Sequence, residues 1–290
     1  MNGILLIDKP ADWTSNDVVA KLRGVLHEKR VGHAGTLDPM ATGLLVVFVG
    51  RATRAASFAE AQDKRYLASL RLGLTTDTQD ITGRVLTEND VRPGEERLKN
   101  TLRQFEGEID QIPPMYSAIK HQGRKLYEIA RRGGEVERAP RRIRIDAIKL
   151  LGREGEDWRL DVRCSKGTYV RTLCHDIGQK LGCGGCMSAL RRVSAGAFSV
   201  ENAYSIEEVQ RAADAGSAAS LLLPVDGLFA DSAALTVGAA EEKKIRCGGE
   251  IEREITDGNY RVYAENGAFL AFSHAKGNRL TTIKSFFEVG

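Results

Sequence analysis

GHAGTLDPMATGLL, residues 32–45, combines one carboxylate, one imidazole, three glycines and one proline, and it runs directly into the apolar residues 44–49. Glycine loses more backbone entropy on folding than any other residue, and a carboxylate is costly to bury unless it is paired. A segment that only built a hydrophobic core would not contain this combination. We therefore predict a rigid, irregular loop that displays Asp38 beside a buried strand. The alternative is an ordinary loop in which Asp38 caps a turn before Pro39.

Hydrophobic patterns on both sides of this stretch indicate a mixture of strands and helices. We predict strands at residues 4–7, 44–49, 64–73, 143–151 and 158–164, and helices at residues 14–27, 55–61, 98–105 and 172–181. Residues 74–83 are rich in Thr and Asp, have no period, and are predicted to be a loop. The pattern favours an α+β fold with a mixed, mainly antiparallel central sheet and flanking helices.

The pattern of the sequence changes after Pro224, where short predicted strands separated by turn residues begin. Residues 227–234 resemble a linker, and a short helix is predicted through residues 241–246. Short strands are predicted at residues 250–255, 260–264 and 268–273, because turn residues such as Asp-Gly-Asn and Asn-Gly separate them. We predict two domains, residues 1–226 and a small β-rich domain at residues 232–290.

The composition is that of a soluble globular protein, with 42% hydrophobic residues, 28% charged residues and a formal net charge of +3. No apolar run is long enough to span a bilayer, and the N-terminal sequence MNGILLIDKP lacks the pattern of a secretory signal. We expect a cytoplasmic protein with no membrane partner.

Basic residues are concentrated in an excursion at residues 121–142 and its flanks, which we predict to be partly helical. They are Lys120, Arg124, Lys125, Arg131, Arg132, Arg138, Arg141, Arg142 and Arg144. Such a cluster can bind a phosphate backbone, although a solvated charged face is the commoner role.

The five cysteines are odd in number and scattered. Cys183 and Cys186 have the spacing of a metal or redox pair, but Cys174 and His175 do not complete a recognisable zinc pattern. We therefore expect no metal site and interpret these thiols as part of a glycine-rich turn.

Four motifs together resemble the TruB-type tRNA pseudouridine synthases, in the order of that family. They are GHAGTLDPMATGLL, KRY at residues 64–66, QIPPMYSAIK at residues 111–120 and SKGTYVRT at residues 165–172. Leu190-Arg191-Arg192 followed by Gly196-Ala197-Phe198 is similar to a further signature of the family. The likeness extends from the first strand to about Phe198, and the C-terminal segment resembles a PUA-like RNA-binding domain more weakly. Cys186 and Ala197 depart from the histidine and proline that are common there.

The resemblance implies the pseudouridine synthase fold and a reaction without a cofactor. In that reaction the N1–C1′ bond of a uridine is cleaved, the base rotates, and it rejoins through C5. The resemblance assigns the catalytic carboxylate to Asp38, with attack on the ring, attack at C1′ and a glycal route all open. Because enclosure with a base favours protonation, a cationic partner is expected, and Arg171 fits this role. Tyr66 resembles the tyrosine that stacks on the flipped base, and its hydroxyl is a candidate for proton transfer.

The resemblance also implies substrate-binding residues and an RNA partner. His33 resembles a histidine that contacts the opened loop, Tyr169 and Leu190 resemble pocket residues, and Lys9, Lys64 and Lys120 are further candidates. Each of these interpretations has an alternative. His33 could satisfy backbone groups within the glycine-rich loop, and Tyr169 and Leu190 could be core residues. Lys9 and Lys64 could support the loop. The expected partner is tRNA, contacted at the T-arm and, through the C-terminal domain, at the acceptor end.

Three functions are compatible with these residues. The first is isomerisation of the T-loop uridine at tRNA position 55 by a monomer that needs no protein partner. The second is a tRNA-folding chaperone that uses the same RNA-binding surface. The third is a guide-RNA-dependent relative that acts on ribosomal RNA, for which we expect partner-binding extensions that this sequence does not show.

Overall fold

The computed structural model describes residues 1–90 and 93–287. The strands are β1 (Gly3–Lys9), β2 (Val31–Ala34), β3 (Thr42–Val49), β4 (Lys64–Leu72), β5 (Leu74–Thr76), β6 (Val85–Glu88), β7 (Gly107–Gln111), β8 (Lys120–His121), β9 (Arg124–Lys125), β10 (Arg141–Glu154), β11 (Asp157–Cys164), β12 (Gly185–Ala195), β13 (Phe198–Ser199), β14 (Ala233–Val237), β15 (Ile251–Glu252), β16 (Gly258–Ala264), β17 (Phe269–Lys276) and β18 (Arg279–Ser285). The α-helices are α1 (Ser15–Val25), α2 (Ala56–Glu60), α3 (Glu95–Leu102), α4 (Leu126–Ala130), α5 (Val170–Leu181), α6 (Ile206–Asp214) and α7 (Ala239–Arg246).

The large sheet has the order β1-β3-β12-β4-β11-β10-β7, with β2 paired to β3 and β13 paired to β12. Among the described strands of this sheet, β3 and β12 form the one parallel pair. The sheet is therefore mixed and mainly antiparallel, with helices against it, which confirms the predicted α+β class.

Strand β3 is apolar from Leu44 onward because both of its faces are covered. Leu45 and Val47 pack in one cluster with the apolar face of α1, and Val46 and Phe48 pack in another cluster on the opposite face. Helix α1 begins after Thr14, whose side chain accepts a hydrogen bond from the Asp17 backbone in a capping box. This packing fixes the strand at which the loop of residues 35–41 ends.

The C-terminal sheet has the order β14-β16-β17-β18-β15. It is packed against the large sheet through aromatic rings, since Phe229 stacks on Phe272 of β17 at a centroid distance of 4.1 Å. Phe58 of α2 meets both rings edge-on, at 5.1 and 5.6 Å. Helix α2 also borders the cavity described below, so the second sheet supports one wall of that cavity.

Several predictions about single elements were wrong. Residues 31–34 form a strand against β3, and residues 74–76 pair with β6, so neither segment is wholly a loop. The predicted linker at residues 227–234 contains buried Phe229 and the start of β14. Residues 250–255 form only the two-residue strand β15. Strands β7, β12 and β18 were not predicted, whereas the basic excursion is partly helical, as expected, through α4.

Candidate active site

The loop that carries Asp38 connects β2 to β3 and is held by hydrogen bonds from two other elements. Ser15 Oγ accepts a hydrogen bond from the Leu37 backbone nitrogen at 2.9 Å. Lys9 is fully buried, and its ammonium donates to the carbonyls of Pro10, Trp13 and Pro39 at 2.8, 2.6 and 3.1 Å. These bonds give the loop a defined shape, as the sequence predicted.

Arg171, in the first turn of α5, binds the carboxylate of Asp38. Its Nη2 donates to Oδ1 at 3.0 Å, and its Nε lies 2.8 Å from Oδ2. The guanidinium also donates to the carbonyls of Thr78 at 3.0 Å and Tyr116 at 2.9 Å. Because the Arg171 side chain is only 5% exposed and held from several sides, it presents a fixed charge to Asp38.

The ionisation of Asp38 is set by opposing effects. Burial raises the pKa of this carboxyl group, Arg171 lowers it, and the nearby Asp80 carboxylate raises it further. The net direction is a raised pKa, although one third of the side chain is exposed. A guanidinium does not deprotonate, so Arg171 opposes protonation of Asp38 at every physiological pH.

Asp38 and Arg171 lie on the wall of a cavity of about 1330 Å³. Of the other residues predicted for the site, the cavity is also lined by Tyr66, Tyr169, Lys64 and Lys120. Tyr66 is 8% exposed, and burial raises the pKa of its phenol. The structure thus brings a carboxylate, its cationic partner and an aromatic ring to one cavity large enough for a nucleotide.

Three of the predicted residues do not line this cavity. Leu190 is 8% exposed and belongs to the same apolar cluster as Tyr66, which agrees with the alternative of a core position. His33 lies on β2, and within the described residues its buried Nδ1 has no hydrogen-bond partner. Burial lowers the pKa of His33, and Arg192 adds to this effect. The bonds of Lys9 favour support of the loop over contact with a phosphate.

Two residues of the site were missed by the sequence analysis. Asp80 is buried, lies 3.6 Å from Arg171 Nη1, and accepts hydrogen bonds from the hydroxyls of Thr78 and Thr82 at 2.9 and 2.6 Å. The alternation of Thr and Asp at residues 75–82 is a signal that could have indicated such a buried carboxylate. Arg192 is almost fully buried and also lines the cavity.

Comparisons with known proteins agree with this geometry. Residues 23–170 match the model of the N-terminal domain of TruB family pseudouridylate synthases, and residues 171–230 match that of the tRNA pseudouridylate synthase B C-terminal domain. The chain belongs to the TruB family. TruB relatives include a tRNA pseudouridine synthase B of Thiobacillus denitrificans, 43% identical over 97% of this chain and 94% of that protein. Another, from Clostridium kluyveri, is 41% identical over 99% of this chain and 100% of its own length.

Solved structures show the same fold at lower identity. A Cbf5–Nop10–Gar1 complex matches with a TM-score of 0.75 and 24% identity, covering 98% of this chain and 85% of that chain. A structure of an H/ACA RNP bound to a substrate RNA containing 2′-deoxyuridine matches with a TM-score of 0.74 and 23% identity, covering 99% and 85%. These likenesses confirm the pseudouridine synthase fold that was expected for a TruB chain.

In this TruB chain, three of the seven clustered arginines form ion pairs. Arg142 contacts Glu108 and Asp110, Arg144 contacts Asp63 and Asp146, and Arg138 contacts Glu135. Within residues 1–90 and 93–287, Arg124, Arg131, Arg132 and Arg141 form no ion pair. Of these four, Arg131 and Arg141 line the cavity, together with the paired Arg142. The charge available to an RNA is therefore smaller than the count of arginines indicates.

The cysteine pair of this TruB chain is buried in the turn before β12 and at its start. In the part of the chain that the structure describes, no group of three or more His, Cys, Asp or Glu side chains is placed to hold a metal ion. No helix among those residues is long and apolar enough to cross a membrane.

Proposed function

We propose that this protein is a tRNA pseudouridine synthase that converts the T-loop uridine at tRNA position 55 to pseudouridine without a cofactor. The observation that carries the proposal is the Asp38 carboxylate, held by Arg171 at 2.8 and 3.0 Å on the wall of a cavity that Tyr66 also lines. Membership of the TruB family and the names of the relatives support the same activity.

The reaction is an isomerisation, so atoms balance without a co-reactant. The N1–C1′ bond breaks, the base rotates, and a C5–C1′ bond forms. The proton on C5 leaves, and N1 gains a proton. Asp38 acts as the ionised carboxylate beside the ribose and base, and Arg171 opposes its protonation and fixes its orientation. Tyr66 stacks on the base, and its hydroxyl takes part in proton transfer at C5.

The uridine must leave the stack of its loop before it can enter the cavity, at a cost of a few kcal/mol. Stacking on Tyr66 offsets part of that cost. We propose that Tyr169, Lys64 and Lys120 contact the substrate from the cavity wall, and that His33 meets the opened RNA loop. Leu190 shapes the apolar side of the pocket through its packing with Tyr66.

We propose that residues 1–226 form the catalytic domain and that residues 232–290 form an RNA-binding domain that contacts the acceptor end. The basic excursion at residues 121–142 binds the T-arm through backbone phosphates, independently of sequence. We also propose that the protein acts in the cytoplasm without a protein partner, and that it is a monomer. Sedimentation of the purified protein with and without tRNA tests the oligomeric state.

The other candidate functions have less support. Relatives at 41–43% identity are named tRNA pseudouridine synthase B, whereas the Cbf5 complexes share only 24% identity or less with this chain. This difference favours tRNA over a guided ribosomal substrate, and a catalytic function over a chaperone.

The test is to incubate purified protein with unmodified tRNA, without added cofactor, and to map pseudouridine by its position. We expect product at position 55 from the wild type and none from Asp38→Asn, which keeps the shape of the side chain but removes its charge. Unmodified position 55 after incubation with the folded wild type would contradict the proposed activity. Normal product from Asp38→Asn would contradict the assigned role of the carboxylate.

A further inference from the structure

Arg192, on β12, holds both ends of the loop that carries Asp38. It is only 1% exposed, and its Nε donates to the carbonyl of Leu44 at 2.7 Å. Its Nη2 donates to the carbonyl of Gly35 at 3.0 Å. Gly35 and Leu44 lie on the two sides of Asp38 in the sequence. A single rigid guanidinium therefore bridges the start and the end of the loop.

The register of the sheet brings Arg192 to Tyr66 as well. Arg192 pairs with Gly43 of β3 on one side and directly with Tyr66 of β4 on the other. Directly paired residues of antiparallel strands have their side chains on the same face, so Arg192 and Tyr66 share a face of the sheet. Gly43 has φ +96°, and a Cβ there would lie 2.3 Å from the Arg192 carbonyl oxygen, which shows how closely β3 and β12 approach.

Stability alone does not account for a charge at this position. Arg192 forms no ion pair with a carboxylate among residues 1–90 and 93–287. Burial lowers the pKa values of its neighbours Lys64 and His33, and the charge of Arg192 lowers them further. Burial of a charge without a partner carboxylate costs free energy, so folding stability does not explain an arginine here. The two carbonyl bonds, one at each end of the loop, are the distinctive contribution of this side chain.

We propose that Arg192 is a positioning residue of the reaction. By binding Gly35 at the start of the loop of residues 35–41 and Leu44 in β3 just after it, Arg192 fixes the Asp38 carboxylate relative to the Tyr66 ring on the neighbouring strand. This inference rests on the proposed function. A displacement of about 1 Å at a reacting group costs roughly 100-fold in rate. Because Arg192 offers almost no surface to a ligand, its loss acts on the chemical step and spares RNA binding.

The experiment compares Arg192→Met and Arg192→Lys with the control Arg191→Met. Arg191 is adjacent, 40% exposed, and paired with Asp8. Single-turnover rates are measured with excess enzyme by release of tritium from the C5 position of a T-arm RNA, and the Kd for that RNA is measured separately. We expect Arg192→Met to slow the reaction about 100-fold with a change in Kd of less than about threefold. Arg192→Lys keeps donors but lacks the fork, so it restores part of the rate, and the control reacts like the wild type.

A wild-type rate for Arg192→Met, or a loss confined to Kd, would overturn the inference. Equal losses for Arg192→Met and Arg192→Lys that follow a loss of thermal stability would also overturn it, because they would assign Arg192 to folding alone. If Arg192→Met does not fold, Arg192→Lys decides: a slower reaction with unchanged Kd supports the inference, and a wild-type rate refutes it. Absence of tritium release from the wild type would instead contradict the proposed function.

Discussion

Replacement of Arg171 by Met tests the electrostatic design of the site. The substitution keeps an unbranched side chain but removes the charge that lies 2.8 Å from one oxygen of Asp38 and 3.6 Å from Asp80. Breaking a buried ion pair from one side costs about 3–5 kcal/mol of folding free energy. We expect the lower end, about 3 kcal/mol, because one third of the Asp38 side chain is exposed and water screens it.

The same substitution changes the pH dependence of the reaction in a known direction. Arg171 lowers the pKa of Asp38, whereas burial and Asp80 raise it. Without Arg171 the pKa rises further, so a smaller fraction of Asp38 is ionised at a given pH. The acidic limb of the single-turnover rate profile therefore moves to higher pH, and the rate at neutral pH falls by about 100-fold because the carboxylate also loses its orientation.

The assay is tritium release across the pH range, together with thermal unfolding of each variant. Arg163→Met is the matched control, since Arg163 is exposed on β11 and does not line the cavity that contains this ion pair. An unchanged acidic limb in a folded Arg171→Met variant, or a rate within about threefold of the wild type, would refute the electrostatic account.

Three further predictions concern the supporting residues. Asp80→Asn should move the acidic limb to lower pH, opposite to Arg171→Met, because Asp80 raises the pKa of Asp38. The same substitution should slow the reaction about tenfold, because Arg171 loses a partner. Arg131→Gln should reduce the slope of log affinity for tRNA against log salt by about 0.7–0.9, and Arg142→Gln by less than half of that, because Arg142 is already paired. Gly43→Ala should lower the free energy of unfolding, measured with denaturant, by about 3 kcal/mol or more, since its Cβ would lie 2.3 Å from the backbone of β12. Gly24→Ala on α1 is the control: its Cβ would contact no other atom, and the free energy of unfolding should rise by about 0.5–1 kcal/mol.

Each of these has a contradicting result. An acidic limb that moves upward in Asp80→Asn would show that its charge does not act on Asp38. Equal salt slopes for the two arginine variants would show that ion pairing does not decide which arginines meet phosphate. Equal stability of the two glycine variants would mean that β3 and β12 separate easily.

The central pairing of the site could be predicted from the sequence because it rests on local motifs. Asp38 stands in a stretch whose glycines and proline are unusual for a core segment, and Arg171 lies in a second motif of the same family. Burial raises the pKa of a carboxyl group and a nearby cation lowers it, so an enclosed Asp38 is expected to pair with a cation from a distant part of the chain. The bonds between Arg171 and Asp38 confirm that connection.

Arg192 could not be predicted because the strand that carries it has no regular period. Strand β12 has register shifts between Met187 and Ala189 and between Arg192 and Ser194, so the alternation of apolar and polar residues breaks twice. Two adjacent arginines there indicate exposure, yet only the Arg191 side chain is partly exposed, and Arg192 is almost fully buried. Only the tertiary pairing with β3 and β4 determines which of them faces the site.

Asp80 and the segment at residues 227–234 show that composition alone does not reveal which loop residues are buried. The Thr and Asp residues around Asp80 have a loop composition, but their hydroxyls satisfy a buried carboxylate. In the predicted linker, Phe229 was a signal against exposure, since large aromatic rings favour burial. Its partners Phe58 and Phe272 come from distant elements, so the contact is visible only in the folded chain.

The most direct test of the account is a crystal structure of this protein bound to a T-arm RNA that carries 5-fluorouridine at the target position. We predict that the modified base lies flipped out in the cavity of about 1330 Å³, stacked on Tyr66, with its ribose or ring within contact distance of the Asp38 carboxylate. A target base that stays in the RNA loop, or one that lies in the cavity but away from Asp38, would contradict it.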